Sequence, residues 1–288
     1  MHWAGPMGAG PRLAVWALAA LLAVVTGGAA LAATGQPTPW QVGMQPAVTG
    51  VAGEVVVFHT ALVWLITGIC IFVAVLLVWC IVRFNETKNP IPSRTSHNTL
   101  IEVAWTIIPV LILVAIAIPS FRVLRDQLIV PTPDVVVKVT GHAWYWSYEY
   151  PQDQGGFEFV SNLVEEGDLQ PGQPRLLAVD NEFVVPVNRV IHVQVTAADV
   201  IHAFGVPSLG VKIDAIPGRL NETWFRATRE GLYYGQCYEL CGARHAYMPI
   251  AVRVVSEEQY AQWLAEAQQR FAGAGTGGRL AAAEAPAH

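Results

Sequence analysis

Two thiols, an imidazole and a thioether fall within twelve positions of this chain, as Cys237, Cys241, His245 and Met248. Thiolate, imidazole and thioether together form the soft donor set that selects copper. The spacing Cys-x3-Cys-x3-His-x2-Met lets one loop turn its ligands toward a single point. A second imidazole has to come from another strand, and His202, in Asp199-Val200-Ile201-His202-Ala203-Phe204, is placed between two β runs. A Cys237–Cys241 disulfide is chemically allowed outside the cytoplasm but leaves His245 and Met248 unexplained. A structural zinc site of two Cys and two His leaves Met248 idle. A mononuclear blue-copper site uses one Cys, two His and a Met, and leaves a thiol over. Two bridging thiolates suit a dinuclear copper centre, which spreads one electron over two metals and changes geometry little on redox.

The elements that must position these residues begin in a membrane. Only 14% of the 288 residues are charged and 53% are hydrophobic, against about 25% charged in a typical soluble domain. The mean hydropathy of +0.40 points the same way. A net charge of −5 excludes the basic footprint of a nucleic-acid binder, and the apolar fraction excludes wholesale disorder. Leu13 to Leu31 is apolar, follows a single Arg12 and ends in small residues; residues 1–33 read as a secretory signal peptide. An N-terminal segment follows, 34–54. From Val55 to Val82 there are 28 residues without Asp, Glu, Lys or Arg, and from Val103 to Phe121 another 19. A bilayer requires roughly 20, so residues 55–121 form a transmembrane helical hairpin with spans at about 55–82 and 103–121. Pro109 within the second span is tolerated where neighbours satisfy the freed carbonyl. The connection carries Arg83, Lys88 and Arg94 against Glu86 alone, which puts it in the cytoplasm and both termini outside. Cys70 and Cys80, ten residues apart in the first span, read as inert thiols.

Beyond Phe121 the pattern changes. Val135 to Val139, Trp144 to Tyr150, Val190 to Val195, Thr223 to Arg226 and Ile250 to Val255 are short and β-branched or aromatic, with Pro, Gly and Asn between them. Such spacing predicts an all-β sandwich or barrel over 122–255. Ser256-Glu257-Glu258-Gln259 is a capping box for a helix over 256–271. The Gly- and Ala-rich residues 272–288 read as a disordered tail. From Arg122 onward 13 basic residues face 19 acidic ones, which suits a basic partner at the outer surface.

At these residues the chain resembles subunit II of the bacterial haem–copper (aa3-type) cytochrome c oxidases, the family that carries the CuA centre. The resemblance runs from about residue 50 to 270. It covers the hairpin, the strand Gly141-His142-Ala143-Trp144-Tyr145-Trp146-Ser147-Tyr148-Glu149-Tyr150, the segment Val211 to Arg219 and the Cys237–Met248 loop. It implies a cupredoxin-like Greek-key barrel behind the two-helix hairpin. It makes Cys237 and Cys241 bridging thiolates, His202 and His245 terminal ligands, Met248 a weak axial ligand and the Glu239 carbonyl its counterpart on the second copper. The Glu239 carboxylate would join a magnesium site shared with subunit I. Trp144 would be the surface indole through which electrons arrive from cytochrome c. Glu149, Glu158, Asp180 and Asp199 would dock that partner, and Glu102 would stand at the mouth of a proton-uptake channel in subunit I. The chain departs from the usual family pattern at Tyr238 (Ser), Ala143 (Gln) and Phe204 (Trp), none of them a side-chain ligand.

The expected function is electron transfer from cytochrome c to subunit I of a proton-pumping oxidase in the bacterial inner membrane. Subunits I and III would be partners, and this chain would carry no haem. A fused c-type haem domain is excluded because no Cys-x-x-Cys-His occurs. A quinol-oxidase subunit II would lack Cys237 and Cys241. A lone membrane-tethered copper carrier is the competing class, but a tether requires only one span.

Overall fold

The computed structural model describes residues 35–271. The expected signal peptide and C-terminal tail lie outside the described residues. Helix α1 (Gly50–Arg83) and helix α2 (Thr99–Leu128) form the hairpin. Both are long and apolar enough to cross a membrane. At 34 residues α1 is about 50 Å long, well beyond the ~30 Å hydrocarbon core, so its ends project past the uncharged span. Thr49 caps α1 by accepting the amide of Ala52, and its hydroxyl donates to the Leu209 carbonyl at 2.9 Å. At the same end of the hairpin, the Trp224 indole donates to the Asp126 carbonyl in the last turn of α2 at 3.2 Å. The hairpin is therefore mounted on the β domain through both helices.

That domain consists of two five-stranded sheets. The first is ordered β3 (Phe157–Ser161), β2 (Tyr145–Tyr150), β1 (Val135–His142), β5 (Ile191–Ala197), β8 (Asn221–Phe225). The second is β4 (Phe183–Pro186), β10 (Pro249–Val255), β9 (Gly231–Cys237), β6 (His202–Val206), β7 (Val211–Ala215). The β1–β5 and β4–β10 pairs are parallel and all others antiparallel, so the chain crosses between sheets as in a cupredoxin-like barrel. Period-2 alternation turns Val135, Val137 and Val139 of β1 and Ile191, Val193 and Val195 of β5 inward. There they meet Trp146, Tyr148, Phe183, Phe204 and Phe225.

Helix α3 (Glu257–Phe271) starts at the expected capping box: the Gln259 amide donates to Ser256 Oγ at 3.2 Å, and the Ser256 amide to Gln259 Oε1 at 3.4 Å. Its Trp263 and Phe271 pack on Tyr150 and Phe159.

Strands β1, β2, β5, β8 and β10 coincide with the runs read from sequence. Five others lie outside those runs. β6 is wholly buried yet opens with His, Ala, Phe and Gly, and β9 holds two glycines, so neither shows β-branched density. β3, Phe-Glu-Phe-Val-Ser, alternates in burial, but its exposed Val160 and buried Ser161 break the matching alternation of polarity.

Candidate metal centre

At the end of the barrel away from the hairpin mounts, β1, β5 and β9 finish while β2, β6 and β10 begin. Cys237 is the last residue of β9, and Phe204 of β6 is its registered neighbour. The chain then loops through Tyr238–Met248, including a one-turn helix at His245–Tyr247, before rejoining the sheet at Pro249. The loop returns Cys241 to Cys237 with 3.8 Å between sulfurs. His245 Nδ1 lies 3.5 Å from Cys241 Sγ, and Met248 Sδ 3.5 Å from the same sulfur. Cys237 Sγ lies 3.2 Å from the Glu239 carbonyl and 3.9 Å from His202 Nδ1. His202 is the first residue of β6, so the second imidazole comes from a strand other than the one that ends at Cys237. The donor atoms of His202, Cys237 and Cys241 lie within 4.8 Å of one another. Each thiol thus has its own imidazole, and the two thiols touch.

The chemistry of this donor set fits a bridged metal pair. His202, Cys237, Cys241 and Met248 are buried, and His245 is partly exposed. Burial opposes ionisation of Cys237, but hydrogen bonds with His202, Ala203, Glu239 and Cys241 outweigh it and bring the thiol down to about 7. Burial and the neighbouring Cys237 push Cys241 up to about 12. One thiolate forms readily and the second resists, which is the situation a bound cation reverses.

The surrounding residues hold the ligands in place. Asp199 Oδ1 accepts His202 Nε2 at 2.8 Å and its own neighbour's amide, Val200, at 2.6 Å; Oδ2 accepts the Ala143 amide at 2.7 Å. Burial would raise the Asp199 carboxyl, but these donors hold it below its usual range. Burial would lower His202, yet its contacts with Cys237 and Asp199 raise it. The Trp146 indole donates to the Met248 carbonyl at 3.3 Å and meets the rings of His202 and Phe204 edge-on. Gly141 leaves room for His202: a Cβ there would sit 2.9 Å from the imidazole. Arg244, beside His245, pairs with Glu165 at 2.5 Å and lies over the Tyr247 ring.

Trp144 is not in the strand where its aromatic run suggested. It sits in the turn between β1 and β2, half-buried, and its indole donates to the Cys241 carbonyl at 3.1 Å. Its ring lies over Gly242, which adopts φ +115°, a conformation glycine takes without strain. Asp199 also has a place that sequence reading missed, since it contacts a ligand as well as solvent. The i, i+3 spacing of Asp199 and His202 was the available signal. The other acids lie apart from these contacts. Glu149 pairs with Lys138 at 2.8 Å and faces Glu158 across β2 and β3. Asp180 accepts the backbone and side-chain amides of Asn162. Glu239 is exposed. Glu102 lies in the first turn of α2, where it accepts the Asn98 amide at 3.2 Å. Tyr238 covers Gly205 with its ring, Phe204 is core, and Ala143 is exposed.

Two family profiles match the chain: cytochrome c oxidase subunit II, periplasmic domain, over 135–255, and cytochrome c oxidase subunit II, transmembrane domain, over 37–123. The probable cytochrome c oxidase subunit 2 of Rickettsia bellii is 49% identical over 247 residues, covering 86% of this chain and 91% of the relative. Cytochrome c oxidase subunit 2 of Cereibacter sphaeroides is 48% identical over 250 residues, covering 81% and 82%. Among solved structures, the periplasmic domain of subunit II of cytochrome oxidase of Bradyrhizobium japonicum is 61% identical, covering 50% of this chain and 99% of that one, with a TM-score of 0.47. With profiles over both the hairpin and the barrel, and relatives about half identical across more than four-fifths of its length, the chain belongs to the cytochrome c oxidase subunit II family.

Proposed function

We propose that this oxidase subunit takes electrons singly from reduced cytochrome c at a dinuclear copper centre. It passes them to the haem and haem–copper centres of subunit I, where oxygen is reduced to water with proton pumping. The observation that carries the reading is the convergence of two thiols, two imidazoles, a thioether and a carbonyl, with neighbouring donors 3.2–3.9 Å apart. When bound, a thiolate-bridged copper pair stores one electron shared between two ions. The ligands would be Cys237, Cys241, His202, His245, Met248 and the Glu239 carbonyl.

The protein's own part is to keep these groups still and dry. His202 and Cys237 belong to paired strands, and Met248 directly precedes β10, so their positions follow the sheet. Burial of both sulfurs and of His202 excludes water. The Trp144 indole is bonded to the backbone of a bridging Cys, which supports its role as the route from partner to metal. Glu149, Glu158, Asp180 and Asp199 supply negative charge for a basic partner, of a kind that steers association. The exposed Glu239 carboxylate is free to join a magnesium ion with subunit I, and Glu102 would serve the proton-uptake channel. The uncharged hairpin with its basic connection supports an inner-membrane placement, with both termini and the copper domain in the periplasm. Subunit III completes the expected partners.

The test uses assembled oxidase in which Cys237 and Cys241 are both replaced by Ser. Reduced cytochrome c should no longer reduce the haem of subunit I, whereas chemically reduced enzyme should still consume oxygen. Haem reduction by cytochrome c at the wild-type rate would contradict the proposal.

A further inference from the structure

Asp199 stands among the acids that face a basic partner, yet its carboxylate is already occupied. Its two oxygens accept three N–H groups: His202 Nε2 and the Val200 amide on Oδ1, and the Ala143 amide on Oδ2. An ionised carboxylate can only accept, so the proton of the His202 ring resides on Nε2. That leaves the Nδ1 lone pair facing Cys237 Sγ, 3.9 Å away. A carboxylate behind a ligating imidazole fixes its tautomer and orientation and raises its basicity. The other oxygen reaches the residue preceding Trp144, whose indole is bonded to the Cys241 carbonyl.

We infer that Asp199 is a positioning residue that orients His202 for metal binding and ties that imidazole to the turn carrying Trp144. The inference rests on the copper reading above. It assigns Asp199 a task distinct from that of Glu149, whose carboxylate pairs with Lys138 on the outer face of the first sheet. An Asn at 199 has one acceptor oxygen for three donors and must turn its NH2 group toward either His202 or Ala143. An Ala satisfies none of them.

The experiment compares wild-type oxidase with D199N, D199A and the surface control E149Q. Copper retention is measured against a competing chelator, with the electron-spin signal and reduction potential of the copper centre. D199N should hold copper about 10–100-fold more weakly, with altered copper hyperfine splitting and a raised potential because a less basic imidazole stabilises the oxidised pair less. These changes should persist at high salt, and E149Q should show none of them. In the wild type, the exchangeable Nε2 proton of His202 should appear in electron–nuclear double resonance as a slowly exchanging imidazole proton. That variant-free readout stands even if D199A fails to assemble. Wild-type retention, splitting and potential in D199N, with only a salt-sensitive loss of cytochrome c association, would overturn the inference and leave Asp199 a docking charge. A wild-type enzyme without a copper pair would instead overturn the reading on which the inference rests.

Discussion

The indole of Trp144 donates to the main-chain carbonyl of Cys241 at 3.1 Å, so a half-exposed aromatic ring is one hydrogen bond from a candidate bridging residue. Trp144→Phe keeps an aromatic face and removes that bond. Electron transfer within the cytochrome c complex should slow, with affinity nearly intact. Rapid-mixing kinetics beside equilibrium binding separate the two. Weakened binding with an unchanged intracomplex rate would show Trp144 to be a docking residue.

Met248 is 1% exposed, and its sulfur lies 3.5 Å from Cys241 Sγ. Leu has similar volume, and such swaps usually cost less than about 1.5 kcal/mol. Met248→Leu should keep the fold and both coppers while raising or broadening the reduction potential, because a weak axial ligand tunes more than it holds. Replacing Cys237 or Cys241 should abolish the paired centre altogether. Metal analysis and redox titration of the variants check both.

Gly141 supports His202 from below. A Cβ at this position would approach the imidazole to 2.9 Å and the Trp146 ring to 3.1 Å. Both rings are fully buried, so neither can swing clear. Gly141→Ala should cost about 1–3 kcal/mol through overpacking and should lower copper occupancy more than distant core changes of equal cost. Thermal unfolding with copper analysis tests this; wild-type occupancy would show that the ring shifts freely.

Glu102 closes the start of α2 by accepting the Asn98 amide, while the Asn98 side chain accepts from Leu100 and Ile101. Glu102→Ala should leave copper content and electron uptake unchanged and lower steady-state turnover, since reduction of the catalytic site in subunit I would wait for protons. Turnover measured with catalytic-site reduction decides. Wild-type values for both would return Glu102 to the role of a helix-end charge.

The ligand loop was readable from sequence because Cys237, Cys241, His245 and Met248 lie within one turn-rich segment, where spacing alone limits what they can reach. The hairpin was readable because two uncharged stretches, Val55 to Val82 and Val103 to Phe121, each match the roughly 20 residues that a bilayer demands. What sequence hid was three-dimensional. Trp144 looked like a strand residue because it lies in an aromatic run, yet the β1–β2 turn falls on it and aims its ring at Cys241. Asp199 looked like surface charge because acids usually are. Its pairing with His202 depends on how the β5–β6 connection folds back on Ala143. The strap formed by Gln45, Val48 and Thr49 against Ser208, Leu209 and Thr228 left no periodic trace, because it is held by a few hydrogen bonds to residues far away in sequence and not by a repeating apolar face.

The most direct test of the central claim is the electron-spin spectrum of the full chain, purified and loaded with copper, together with its metal count. Two coppers per chain and hyperfine structure from two equivalent copper nuclei in the partly oxidised state are the predicted result. One copper per fully loaded chain, with splitting by a single nucleus, would contradict the dinuclear centre.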